Sequence, residues 1–121
     1  MYRIACNRSQ RLLEVHHSGF WDLNLTRRFL EDWQRSIAPL RAQYENASVL
    51  SDVRDFPVQS PQVLEMLNQF AHSELSRHPM RWALLAKPGL ASLQAKRASE
   101  LEGRLQVFAD ESLARMWLAM A

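Results

Sequence analysis

Glycine is scarce and scattered: Gly19, Gly89 and Gly103 are the only three in 121 residues. Backbone cradles for nucleotide phosphates need clustered glycines, because only there can successive N–H groups close on a phosphate. Neither a nucleotide nor a dinucleotide cofactor is therefore expected. Cys6 is the single cysteine, which excludes an internal disulfide and any CxxC redox or zinc motif. No window approaches the roughly 18 apolar residues of a membrane span. Met1-Tyr2-Arg3-Ile4 leads into a polar turn without the apolar stretch of a secretory signal, so a soluble, cytoplasmic protein is expected. An excess of one charge is missing too. Fifteen Lys plus Arg against 13 Asp plus Glu leave +2, too little for a nucleic-acid footprint.

What is present is 47% hydrophobic residues, enough for the core of one domain over residues 1–121. Tyr2 to Cys6 and Leu12 to His17 are strand-favouring runs separated by a polar stretch, which predicts a hairpin. Asp22 is placed to cap a long helix whose apolar residues Phe29, Leu30, Trp33, Ile37, Leu40 and Tyr44 recur at helical spacing. Pro39 inside that pattern predicts a kink or an early end near Ala38. Val49–Val53, Trp82–Ala86 and Leu105–Phe108 read as three more strands. Ser60-Pro61 signals the start of a helix that stops before His78-Pro79. A weaker helical face runs through Leu90, Leu93, Ala98 and Leu101 to Gly103, and Asp110 caps a final helix carrying Leu113, Trp117 and Met120. The order ββαβαβαβα predicts an α/β fold: a mixed, mostly parallel five-stranded sheet led by an antiparallel hairpin, with helices packed on it.

Ligands of open α/β sheets gather beyond the carboxyl ends of the parallel strands. Asp52, Arg54, Asp55 and Ser60 fall there, as do Lys87 and Asp110. An aspartate-phosphorylation site would need Mg²⁺ held by carboxylates beside the nucleophile. The earlier strand ends instead in Ser18-Gly19-Phe20. Asp52 and Asp55 are equally explained by turn hydrogen bonds, Asp110 and Ser60 by helix capping, and Lys87 by solvation. His16 and His17 are adjacent on a strand and point to opposite faces, while His72 and His78 lack a companion acid at ligand spacing, so no metal centre is expected. Cys6 reads as a small buried strand residue. Phe20, Trp21 and Trp33 are the residues that an apolar ligand cavity would use; at these spacings aromatic residues are more often core. Phe20-Trp21, in a strand-to-helix loop, either closes over the core or presents a contact surface.

Five runs follow one another along the chain: Leu13-Glu14-Val15-His16-His17-Ser18-Gly19-Phe20-Trp21-Asp22, Val49-Leu50-Ser51-Asp52-Val53, Ser60-Pro61, Trp82-Ala83-Leu84-Leu85 and Val107-Phe108-Ala109-Asp110-Glu111-Ser112-Leu113-Ala114-Arg115-Met116-Trp117-Leu118. Together they resemble the SpoIIAA-like bacterial branch of the STAS superfamily. The resemblance implies a hairpin-led α/β domain without catalytic machinery that acts as a regulatory or protein-interaction module, related to lipid-carrying domains of the CRAL-TRIO type. It also implies a serine phosphorylated at the start of the helix after the third strand. Ser60 is the hydroxyl near that position, with Pro61 where small residues stand in the family.

The leading expectation is thus a non-enzymatic module meeting a protein partner around Asp52, Arg54, Asp55 and Ser60. The alternative is a carrier or sensor of a lipid or other apolar molecule bound near Phe20, Trp21 and Trp33. A homodimer would draw on an exposed Trp or an uncovered edge strand.

Overall fold

Arg11, at φ 57°, closes the turn after the first strand by donating its N–H to the Arg8 carbonyl at 3.2 Å. This folds β1 (Tyr2–Asn7) onto β2 (Leu12–Ser18) in antiparallel register. The computed structural model describes residues 1–88 and 103–120. Its other elements are α1 (Leu23–Gln43), β3 (Ser48–Asp55), α2 (Pro61–Arg77), β4 (Trp82–Leu85), β5 (Leu105–Phe108) and α3 (Glu111–Ala119). The five strands form one sheet in the order β1-β2-β3-β4-β5, antiparallel at the hairpin and parallel thereafter. The predicted helical face through Leu90, Leu93, Ala98 and Leu101 lies outside the described residues. Gly103 has the left-handed φ of +74° that glycine accepts readily.

Strand alternation sorts the side chains onto two faces. Leu13, Val15, Val49 and Trp82 pack with Phe29, Trp33 and Ile37 of α1 and Val63 and Leu75 of α2. Their sequence neighbours Leu12, Leu50 and Ala83 turn the other way and pack, with Leu85, against Ala114 and Leu118 of α3. The first face is dominated by aromatic rings. Trp33 stacks on Trp82 at 5.3 Å and meets Phe70 edge-on at 4.9 Å, while the Trp82 indole N–H donates to the Ser51 hydroxyl.

The three expected caps form. Asp22, Ser60 and Asp110 accept the N–H groups of Leu25, Val63 and Leu113 at 2.7, 3.3 and 3.1 Å. α2 stops at Arg77, with His78 as its C-cap. Two expectations are corrected. α1 does not end near Ala38 but continues through Pro39 to Gln43. Tertiary anchors offset the lost bond to the Arg35 carbonyl: Leu40 is buried and Arg41 reaches the buried Glu74 at 3.1 Å, and the Tyr44 N–H closes the last turn on the Leu40 carbonyl at 2.8 Å. Cys6 is exposed rather than buried, because β1 is an edge strand; its thiol donates to the Ser36 carbonyl at 3.1 Å. α3 buries Ala114 and Leu118, whereas Leu113 and Met120 face solvent.

Pro39 is exposed, so Pro39→Ala restores a helical N–H without removing core packing. Urea unfolding is expected to show a gain of about 1–2 kcal/mol.

Candidate functional site

On the face that α1 and α2 cover, Trp21, Phe29, Trp33, Phe70 and Trp82 are engaged in ring contacts. The face that α3 covers is open beside that helix, where a cleft of about 320 Å³ lies between α3 and the β1–β2 edge. It is lined by the apolar Ala5, Leu50 and Leu85 and, among polar residues, by Glu14, Asp52 and Arg115.

A β-bulge aims the carboxylates. His16 pairs with Asp52 and Ser18 with Asp55, so two β3 residues, Val53 and Arg54, stand against the single residue His17. Strict alternation would put Asp52 and Asp55 on opposite faces. The extra residue brings both round to His16, whose Nε2 lies 2.9 Å from Asp55 Oδ2. Gly19, at φ +73°, ends the strand and donates its N–H to the Asp55 carbonyl at 3.3 Å.

Arg54 grips Asp52 with two guanidinium nitrogens, Nε at 3.0 Å and Nη2 at 2.8 Å, and adds its backbone N–H at 3.0 Å. The same Nη2 reaches Glu111 Oε1 at 3.5 Å, at the first turn of α3. Glu111 in turn accepts from Arg115 Nε at 3.1 Å, and Arg115 extends to Glu14 and to Gln10. One chain of ion pairs, Asp52–Arg54–Glu111–Arg115–Glu14, therefore runs from the end of β3 along α3 to β2. Partial burial raises the Asp52 carboxyl, but the Arg54 bonds and charge outweigh it and hold the group below its ordinary range. Glu14 is lowered by the same contest, with Arg115 and Asn7 as its donors. The hydrogen bond to Glu14 raises the Arg115 guanidinium, and that to Asp52 raises Arg54. Carboxylates held this way are weak bases, and their charge is spent on neighbours.

Asp52, Arg54 and Asp55 thus meet at one rim. Ser60 makes its contact on the α2 side of the sheet, as a helix cap with an exposed hydroxyl. The aromatic candidates divide. Phe20 is 79% exposed, whereas Trp21 and Trp33 are buried at 5% and 0%. Trp21 stacks on His17 at 5.2 Å, meets Phe29 and Phe56 at 4.9 and 5.0 Å, and donates its backbone N–H to the buried Gln59 at 2.8 Å. Gln59 returns its amide to the Gly19 and Pro57 carbonyls, locking the loops after β2 and β3 together. Among the described residues, no group of three His, Cys, Asp or Glu is placed to hold a metal, and no helix is long and apolar enough to cross a membrane.

Neither a protein-family model nor a curated protein matches the chain. Its functional reading therefore rests on these residues.

Sequence patterning overlooks two parts of the site. His16 joins it only through the bulge. Glu111 and Arg115 lie within the run that carries the family resemblance, and their i, i+4 spacing is the signal of a paired helix face. The more consequential omission is the outer side of α3, where Leu113, Met116 and Met120 are 56%, 65% and 74% exposed.

His17, opposite His16, is buried with neither ring nitrogen bonded. Burial, with the His16 charge adding to it, pushes its pKa from 6.5 down to about 3. Between those values the unfolded chain binds a proton that the folded chain refuses. Stability at His17 is therefore full above pH 6.5 and falls as the pH drops toward 3, by up to about 1.4 kcal/mol per pH unit. Urea titrations at pH 7 and pH 5 are expected to show a shallower pH dependence in His17→Phe, with the variant gaining most at the lower pH.

Proposed function

We propose that this chain is a non-enzymatic protein-interaction or regulatory module of the SpoIIAA-like STAS kind, and that it meets its partner through the outer side of α3 and the adjoining Arg54–Glu111 edge. The observation that carries this reading is the exposed apolar ridge Leu113, Met116 and Met120. A surface helix ordinarily turns its charges to water and its apolar residues to the core. α3 turns Ala114, Leu118 and Trp117 to the core in the ordinary way, but its outer side carries Leu113, Met116 and Met120 in place of charges, while Glu111 and Arg115 pair with Arg54 and Glu14. Large apolar side chains gathered on one surface and rimmed by polar groups are the mark of a contact site. Methionine suits such a site because it adapts its shape to a partner.

Arg54 connects this surface to the carboxyl rim of β3, and the hairpin-led α/β architecture is the one that the family resemblance implies. Phosphorylation of Ser60 would add close to two negative charges at the α2 N-terminus, where the helix macrodipole favours them. A carrier of an apolar molecule is the weaker reading, because Trp21 and Trp33 are committed to ring contacts and Phe20 alone is free.

Capture from a lysate of the source organism tests the proposal with wild type, Leu113→Glu/Met116→Glu, Arg54→Glu and Ser60→Glu as baits, each first shown by circular dichroism to be folded. The ridge variant is expected to lose at least about tenfold of the captured partner, whether another protein or more of the same chain. The same captured set on all four baits would overturn the assignment of this surface.

A further inference from the structure

We infer that the recess at the end of α3 is a binding site for a small phosphorylated molecule, with Arg11 as its principal anchor. The inference goes beyond the partner reading and does not depend on it. The recess measures about 410 Å³, a volume that small-molecule sites commonly have. It opens where the β1–β2 turn meets the entry to β3 at Ser48 and the end of α3 at Ala119, and Arg115 lines both it and the cleft beside α3. Its lining is mostly polar, and none of the described residues in it is acidic. Two arginines, Arg11 and Arg115, thus border a space that holds no carboxylate of its own.

The hydrogen-bonding groups left over at this recess are donors. Gln10 uses its amide oxygen to accept from Arg115 Nη1 at 2.9 Å and from Asn7 at 3.3 Å, which leaves its amide N–H groups for a ligand. Ser48 is already spent, donating to the Asn46 carbonyl and accepting from the Arg81 N–H. Arg115 is held in place by Glu14 and Glu111, which balance its charge. Arg11 is different. Its guanidinium lies over the Tyr44 ring at 4.7 Å, and no carboxylate among the described residues pairs with it. Stacking of this kind leaves the N–H edge open to an anion. The backbone agrees: at φ 57°, Arg11 is the one residue other than glycine in the left-handed region among the described residues, where a hairpin turn ordinarily has glycine or asparagine. The turn itself has no use for an arginine there. The end of α3 is a negative pole that by itself disfavours an anion. Arg81 offsets it by donating Nη1 to the Trp117 carbonyl at 2.8 Å. A planar carboxylate is satisfied by one guanidinium fork. A phosphate ester presents three acceptor oxygens and nearly two charges, and suits donors that converge from the turn and from α3.

Isothermal titration calorimetry with glycerol phosphate, inorganic phosphate, glycerol and succinate tests this on wild type, Arg11→Gly, Arg11→Lys and Arg8→Ala. Arg8 is an exposed residue of the same turn that does not line the recess. Glycerol phosphate is expected to bind the wild type with a dissociation constant below about 1 mM, and glycerol and succinate at least about tenfold more weakly. Inorganic phosphate is expected to fall between them. Arg11→Gly is expected to weaken the ester at least about tenfold while its thermal midpoint holds or rises, because glycine accepts the left-handed backbone. An arginine with only a structural role would lower the midpoint and leave binding alone. Arg11→Lys keeps the charge but not the fork and is expected to lose less than Arg11→Gly, and Arg8→Ala nothing. In amide NMR spectra of the wild type, the ester is expected to shift the Gln10 side chain and the Ala119 N–H. A wild type that binds neither phosphate compound would overturn the inference, as would equal binding by Arg11→Gly. Succinate bound as tightly as the ester would overturn the choice of phosphate. Capture of a partner by the α3 ridge is expected to be the same in Arg11→Gly as in wild type, so the two readings fail separately.

Discussion

The strand order is the constraint from which the rest of this molecule follows. A sheet whose strands lie in sequence order, joined by crossovers of one hand, receives its crossover helices on one face. α1 and α2 accordingly share the face of Leu13, Val49 and Trp82, and build there a core of stacked indoles. Only the chain beyond β5 remains to cover the other face among the described residues, and α3 is nine residues long. It shields β3, β4 and β5 through Ala114 and Leu118, leaving the β1–β2 half open as a cleft.

This short helix is held by the buried Ala114 and Leu118 and by Trp117, which packs on Phe108 and under the Arg81 guanidinium, and ion pairs add to these anchors. Arg115 bridges it to Glu14 in β2, and Arg54 bridges β3 to Glu111 at its start. Exposed pairs of this kind stabilise by well under 1 kcal/mol when isolated. Here they are linked in series and partly shielded, and they orient the helix about its axis. That orientation is what exposes the ridge. Turning Arg115 and Glu111 toward the sheet sends the residues on the far side of the helix outward, and those are Leu113, Met116 and Met120. Positioning by ion pairs and exposure of an apolar surface are thus one arrangement seen from two sides.

This explains what patterning could and could not read. The caps Asp22, Ser60 and Asp110, the break before His78-Pro79 and the strand runs are local signals, and each formed where hydrogen-bonding chemistry put it. The opposed faces of His16 and His17 follow from pleat geometry alone. The rest depends on partners distant in sequence. A helix-period rule reads Leu113, Trp117 and Met120 onto one helix but does not tell that Trp117 packs on Phe108 while Leu113 and Met120 face solvent. It has no knowledge that Glu14, some hundred residues earlier, holds the helix rotated. The bulge opposite His17 is equally invisible, and without it Asp52 and Asp55 would not share a face. Pro39 is a local stop signal that Leu40 and the Arg41–Glu74 pair override from outside the helix.

The same pleat separates what the protein can vary from what it must keep. His17 lies among Tyr2, Trp21, Phe29 and Phe56 with ring contacts throughout, and its unbonded nitrogens make that environment intolerant of charge. His16, the residue before it, stands in the ion-paired rim with Asp55. A change of charge at the rim therefore meets solvent and a neighbouring carboxylate, while the dry face one residue away stays packed. Gln59 ties the loops after β2 and β3 to each other and to the Trp21 backbone, which holds the dry face together next to the rim. A change of charge at this surface can therefore be accommodated without disturbing the core.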